Sequence, residues 1–216
     1  MISLDQQIDY WNRSGPGKPF QHPVNLNRLN EYLSPASYLL DYGCGYGRVL
    51  GLLAEHGYKK LIGFDPAAAM ICAARARYPS IDFQELASPP NLPLPAQSVD
   101  AALLFSVLTC VPTDEGQRAI VGELERVLRP GGLLYISDLL LQSDDRNRER
   151  YERDVSKYSK YGVFDLPEGV TVRHHDALWL EELTGSFRAI ALDSIEVKTM
   201  NGNPAKAFQW FGVTTS

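Results

Sequence analysis

The stretch "LLDYGCGYGRVLGLL", residues 39–53, runs from an apolar segment through three glycines at alternate positions, Gly43, Gly45 and Gly47, into an apolar helical pattern. A buried strand, a turn that needs glycine and a helix form the opening unit of many nucleotide sites at the edge of a parallel sheet. The dinucleotide fingerprint G-x-G-x-x-G is not met. Counted from Gly43 its third glycine falls on Arg48, and counted from Gly45 it falls on Leu50. No Gly-Lys-Ser/Thr follows, which also excludes a phosphate-binding P-loop. What stands is an acid, Asp41, followed by G-x-G-x-G.

Outward from that loop the chain alternates. Strands are predicted over 37–42, 59–65, 81–86, within 98–108 and over 133–141; helices fall between them at 48–56, 67–78 and 113–128, the last with Thr113 as N-cap. Alternation of this kind implies right-handed βαβ units and a mostly parallel sheet with helices on both faces. Upstream, residues 3–13 suit a short helix capped by Ser3, "RSGPGKPFQHP" a loop, and 25–33 a second helix. Downstream, 142–165 is densely charged and dotted with tyrosine. A helix around 177–184 and two strands (188–198 and 205–213) joined by "NGNP" then read as an antiparallel hairpin. The expected fold is α/β, a Rossmann-like doubly wound, mostly parallel seven-stranded sheet with a C-terminal antiparallel hairpin. One domain is expected over 1–216: N-terminal helices and a lid to residue 36, a core over 37–141, an insertion over 142–178, and the terminal helix and hairpin from 179.

The chain has 216 residues, 44 % of them hydrophobic, and a net charge of −5. Such length supports a full core, and the acidic balance speaks against a nucleic-acid backbone as partner. Three cysteines, Cys44, Cys72 and Cys110, are scattered and form no C-x-x-C pair, so reduced thiols and no metal site are expected. The polar, acidic start has no apolar core of a signal peptide, and no run approaches a membrane span. A cytoplasmic protein is expected.

Asp41, Gly43, Gly45 and Gly47 match the first motif of the class I S-adenosylmethionine (SAM)-dependent methyltransferases, and the chain resembles that family over roughly residues 37–139. "NLPLPAQSVDAALLFSVLTCVP" is similar to the family's segment leading into its fourth strand, and "ELERVLRPGGLLYISD" to its helix and turn before the fifth. The resemblance implies that the helix N-terminus after the loop faces the carboxylate of the methionine moiety, while Asp41 helps hold its ammonium. Asp65, closing the second strand, would take the ribose diol, with a plain helix-capping role at Asp65-Pro66 as the competing reading. Cys44, Pro66, Phe105 and Ser106 complete the expected SAM contacts. The family's usual aspartate after the third strand is missing, which leaves Glu85, or Leu86 through its backbone, for the adenine.

Methyl transfer from SAM is an in-line displacement with a good leaving group, so alignment and exclusion of water matter most, and a base only when the acceptor must lose a proton. The place after strand four reads "LFSVLTCVP" and lacks the Asp/Asn-Pro-Pro-Tyr/Phe motif of enzymes that methylate nucleobase or glutamine amines. A small-molecule acceptor is therefore expected; a SAM-binding protein without turnover, and an RNA or protein acceptor, are the alternatives. The acceptor side should come from residues 9–24 and 142–178, which supply Tyr10, Trp11, Phe20, Tyr151, Tyr158, Tyr161 and His175 as binding candidates, with Asp138 at the end of strand five. His174 and then His22 are the candidate bases, because histidine alone titrates near neutrality unaided. Each has a structural rival: "TVRHHDALW" also suits a helix start with one supporting and one solvated histidine, and the tyrosines one buried stripe of a lid helix.

Overall fold

The computed structural model describes residues 4–215, so the Ser3 cap lies outside the described residues. Seven helices and nine strands follow one another as α1 (Leu4–Ser14), α2 (Leu26–Tyr32), β1 (Tyr38–Tyr42), α3 (Arg48–Glu55), β2 (Lys60–Asp65), α4 (Ala68–Arg77), β3 (Asp82–Glu85), β4 (Val99–Phe105), α5 (Asp114–Val127), β5 (Leu128–Leu139), α6 (Asp145–Tyr158), β6 (Val163–Asp165), β7 (Thr171–Arg173), α7 (Ala177–Leu183), β8 (Phe187–Lys198) and β9 (Pro204–Thr214). Short 3-10 turns occupy Gly15–Gly17 and Leu108–Cys110.

The main sheet has seven strands in the order β3-β2-β1-β4-β5-β9-β8. The first five are parallel, and β9 runs antiparallel to both β5 and β8. This is the expected fold, and alternate side chains explain it. Leu40 and Tyr42 of β1 join the core under α5 and α7, with Leu124, Trp179 and Leu180. Leu39 faces the other way, into the core under α2, α3 and α4 with Leu29, Leu50, Leu53 and Ile71. Strands buried on both faces read as unbroken apolar runs, hence the legibility of "YLLDY" and "VDAALLF".

The order reverses between β1 and β4, and the loops after these two strands flank the crevice in which an open α/β sheet binds its ligand. Thr113 caps α5 as expected, its side chain accepting from the Gly116 N–H at 3.2 Å. The sequence reading differs from the structure after residue 142. The charged segment folds as α6, begun by Asp144, whose carboxylate accepts from the Asn147 N–H, and ended by Ser159 in the left-handed region. A two-stranded ribbon, β6 and β7, follows where no strand was expected. His174 and His175 belong to extended chain running on from β7, and Asp176 caps α7 instead, accepting from the Trp179 N–H at 2.8 Å.

Candidate functional site

A cleft at the reversal point holds about 1010 Å³ of empty space, its open mouth and solvent included. Asp41, Gly43, Cys44 and Gly45 line it from the β1–α3 loop, Asp65 and Pro66 from the end of β2, Phe105 and Ser106 from the end of β4. Both carboxylate oxygens of Asp41 are buried with no hydrogen-bond partner among the described residues. Burial pushes its pKa up to about 8 against the pull of the Arg48 guanidinium, and Asp65 raises it further. An unpaired buried carboxylate costs several kcal/mol unless a cation meets it, so this position is built to be completed by a cationic group.

Asp65 is held differently. Its Oδ2 accepts from the Gly45 N–H at 2.9 Å and its Oδ1 from the Ala67 N–H at 2.8 Å. Burial raises its pKa to about 6 although these two N–H groups pull it down. Each oxygen keeps a free lone pair, which suits a vicinal diol. Asp65 does not cap α4, whose N-cap is Ala67 with no side-chain cap; its two bonds instead brace the β1–α3 loop and the turn after β2.

A second cavity abuts the first. Trp11, Phe20, Ser106 and Cys110 line both. Beyond this shared wall it is bounded by His22, Thr109, Phe164, Val172, His174 and Arg150, among others. Thr109 Oγ1 is another buried atom with no partner. An aromatic strap crosses the first cavity: the Trp11 and Phe20 rings lie 6.0 Å apart, Phe20 and Tyr46 5.6 Å apart, and the Tyr46 hydroxyl accepts from the Phe20 N–H.

The family pattern described as a methyltransferase domain matches residues 40–136. A probable S-adenosylmethionine-dependent methyltransferase of Mycolicibacterium smegmatis is 35 % identical over 129 residues, which is 60 % of this chain and 45 % of that one. The chain thus spans less than half of that relative. A ubiquinone biosynthesis O-methyltransferase of Idiomarina loihiensis is 27 % identical over 207 residues, 92 % of this chain and 81 % of that one. Among solved structures, a SAM-dependent methyltransferase of Methanosarcina mazei superposes with a TM-score of 0.82 at 25 % identity, covering 89 % of this chain and 98 % of that one. Residues 40–136 carry the methyltransferase-domain pattern, and in sequence and fold the chain is similar to SAM-dependent methyltransferases. The unpartnered Asp41 carboxylate and the free lone pairs of Asp65 have the chemistry that an ammonium and a ribose diol require.

Against this family frame, several residues expected in the site sit elsewhere. Gly47 lines neither cavity; at φ +82° its missing Cβ makes room for the Phe83 ring, which a Cβ would meet at 2.6 Å. Gly43, at φ +71°, is needed because a Cβ there would strike Val107 Cγ2 at 2.4 Å. Glu85 is exposed and Leu86 buried in the core, and neither reaches the cleft. Asp138 is fully buried, its carboxylate accepting from the Thr109 and Leu139 N–H groups; burial lifts its pKa to about 7. It ties the 3-10 turn after β4 to β5 and lines neither cavity.

The histidines part company. His175 donates from Nδ1 to the Leu139 carbonyl at 3.0 Å, so its Nε2 accepts from the Gln117 amide at 2.9 Å. Both nitrogens are taken, and it lines neither cavity. His174 lines the second cavity. The Tyr151 hydroxyl accepts from the Gln142 N–H and lies 2.6 Å from His174 Nδ1, and donating to that nitrogen is the arrangement that keeps its buried hydrogen paired. The neutral ring therefore carries its own hydrogen on Nε2 and is a donor, contrary to the base expected there. His22 lines the same cavity, its Nδ1 at 2.9 Å from Ser137 Oγ, and burial with the nearby Arg48 lowers its pKa to about 4.

Of the aromatic candidates, Trp11 and Phe20 line both cavities; Tyr10, Tyr151, Tyr158 and Tyr161 line neither. Tyr151 alone of the last three is buried, behind His174; Tyr158 bonds Asp165 and Tyr161 is 46 % exposed. Sequence reading missed Arg48, Tyr46, Met70 and Thr109, and on α6 Arg146 and Arg150. The spacing of Asn147, Tyr151 and Asp154, all buried on one helix face, was the available signal for α6.

Proposed function

We propose that this chain moves a methyl group from SAM to a small-molecule acceptor held in the second cavity. The observation that carries the reading is that Trp11, Phe20, Ser106 and Cys110 line both cavities, so the two spaces adjoin. When bound, SAM supplies a methyl group on a sulfonium leaving group. Asp41 holds the ammonium of the methionine moiety, Asp65 the ribose diol, and Gly43 with Gly45 lets the backbone come close. The Trp11–Phe20–Tyr46 strap excludes water from the cleft, and the second cavity orients the acceptor toward the wall.

His22 is the candidate base. At a pKa near 4 it is neutral at physiological pH and accepts a proton only weakly, which suits an acceptor atom that reacts without being fully deprotonated first. The open second cavity favours turnover over a SAM-binding protein without an acceptor site, where that space would be filled. Its mouth mixes Asp144 and Glu196 with Lys198 and Lys206, which favours a small molecule over an RNA backbone. We read the 216 residues as one methyltransferase domain, with 37–141 holding SAM and the segments before 36 and over 142–178 holding the acceptor. Free cysteines support a reducing, cytoplasmic setting; among the described residues no helix is long and apolar enough to cross a membrane.

The test begins with calorimetric binding of SAM and S-adenosylhomocysteine (SAH). The purified protein is then incubated with methyl-labelled SAM and a cell extract separated into small molecules, RNA and protein. Label entering the small-molecule fraction supports the reading. Label in RNA or protein alone, or no transfer with SAH binding intact, overturns it.

A further inference from the structure

Three cations border the second cavity, Arg146 and Arg150 on α6 and Lys198 at the end of β8, and among the described residues no acidic side chain does. Arg146 and Arg150 stand one helical turn apart, on one face. Neither makes a close ion pair among the described residues. Arg150 has no ion-pair partner among the described residues, and its nearest polar contact is Asn147 Oδ1 at 3.5 Å, the outer limit of a hydrogen bond. Its guanidinium lies over the Phe164 ring, 5.5 Å from the centroid. Arg146 has a loose pair with Asp144, 3.7 Å away and half-exposed. The other carboxylate nearby, Glu168, is engaged by Lys18 and Asn201.

The third polar group here is His174, 7 % exposed. Tyr151 fills its Nδ1, leaving Nε2–H as a donor with no protein partner among the described residues. Burial depresses its pKa most, Arg150 and Arg146 add to that, and Asp144 opposes them. Two guanidinium groups and an imidazole N–H make a donor-only set, and planar guanidinium forks match carboxylate and phosphate oxygens. Phe164, Leu166, Val172 and Met200 line the rest of the wall with apolar surface.

We propose that this part of the second cavity is an oxyanion subsite, where Arg146, Arg150 and the Nε2–H of His174 bind a carboxylate or phosphate on an acceptor whose body is apolar or aromatic. The proposal rests on the transferase reading above. Arg146 and Lys198 also line the mouth, where Lys206 joins them and Asp144 and Glu196 oppose them. In the subsite His174 positions the acceptor and takes no proton from it.

The experiment titrates SAH-saturated protein with benzoate, phenylphosphate and benzamide, three probes of similar size that differ in charge, and follows heat. At least one of the two anions should bind about tenfold tighter than benzamide or better, the tighter one naming the oxyanion. Arg150→Met, which keeps a stem over Phe164, should abolish that preference and leave SAH affinity within about twofold. Equal binding of the three probes, binding of none, or an anion preference that survives both Arg150→Met and Arg146→Met overturns the subsite. Loss of SAH binding by the parent protein would instead strike the transferase reading, so the two failures are told apart.

Discussion

The two cavities share a wall and differ in how they are made. The first is lined mainly from short loops at the ends of neighbouring parallel strands, and its two acids, Asp41 and Asp65, lie 24 positions apart in one βαβ unit. The second takes its side chains from α1, the loop before α2, the turn after β4, α6, the β6–β7 ribbon and the β8–β9 hairpin. Backbone-led recognition demands glycine and an acid at fixed intervals, whereas recognition by side chains from remote segments fixes no interval at all. The first cavity is also electrostatically incomplete toward cations and the second toward anions.

The sharpest break of that comparison is Asp41→Asn. The side chain keeps its shape and loses the ability to ionise when the ammonium binds, and SAH affinity should fall about a hundredfold or more, because a buried ammonium is left without its counter-ion. Thermal stability should stay level or rise, since a buried carboxylate with no partner is removed. Calorimetry and a melting curve on one preparation check both. Unchanged SAH binding would move the ammonium site elsewhere.

Gly47→Ala sharpens the comparison within the loop. At φ +82° and 2.6 Å from Phe83, the new methyl should cost about 2–4 kcal/mol of stability in chemical denaturation. SAH affinity of the folded fraction should change little, because Gly47 lies outside the cleft. Gly45→Ala should shift the balance toward lost affinity: at φ +54° it costs about 1 kcal/mol of backbone strain, but its Cβ meets only the flexible end of Met70, at 3.3 Å, and it narrows the cleft itself. A large affinity loss at Gly47 would return that glycine to the ligand.

The pH dependence of SAH binding separates the cavities by charge. Free Asp41, with a pKa raised to about 8, is largely protonated at pH 7, and the ammonium pairs with the ionised form. Binding below pH 8 therefore releases a proton, and affinity should rise with pH by up to about tenfold per unit between pH 6 and 8. Asp65, raised to about 6, contributes in the same direction below that value. Calorimetry in buffers of different ionisation heats counts the proton, and Asp41→Asn should flatten the slope above pH 6. A slope that persists in the variant would assign the proton to another group.

Much of the first cavity was legible because topology does the gathering: once 37–65 reads as strand, glycine turn, helix and strand, Asp41 and Asp65 must meet at the same sheet edge. Gly47 was read as a ligand contact because a motif records where glycine is required without recording whether the neighbour is cofactor or Phe83. The second cavity hid for other reasons. Residues 144–158 carry charge on every side, so α6 showed no clean apolar stripe, and its buried face is built from Asn147, Tyr151 and Asp154. The ribbon turn "LPEG" (166–169), with Gly169 at φ +89°, was overlooked as a hairpin signal. Adjacent histidines read as a helix start, yet they continue a strand, whose period of two sends His174 into the cavity and His175 to Gln117 and Leu139.

Ser106 belongs to both regions, and a small substitution there tests whether the wall itself matters. It follows β4 with φ +57°, in a region that L-residues rarely adopt, and its N–H donates to the Ser137 carbonyl at 2.8 Å. Strain of this kind costs about 1 kcal/mol and persists where the surroundings impose it. Ser106→Gly should release it and raise stability by about 0.5–1 kcal/mol, less the added entropy of the unfolded chain. SAH binding should hold within a few-fold, because the Asp41 and Asp65 anchors are untouched. Turnover should fall more than binding does, since the side chain lost lies on the face common to both ligands. If stability rises with turnover intact, Ser106 serves only the turn after β4, and alignment across the wall rests with Trp11, Phe20 and Cys110.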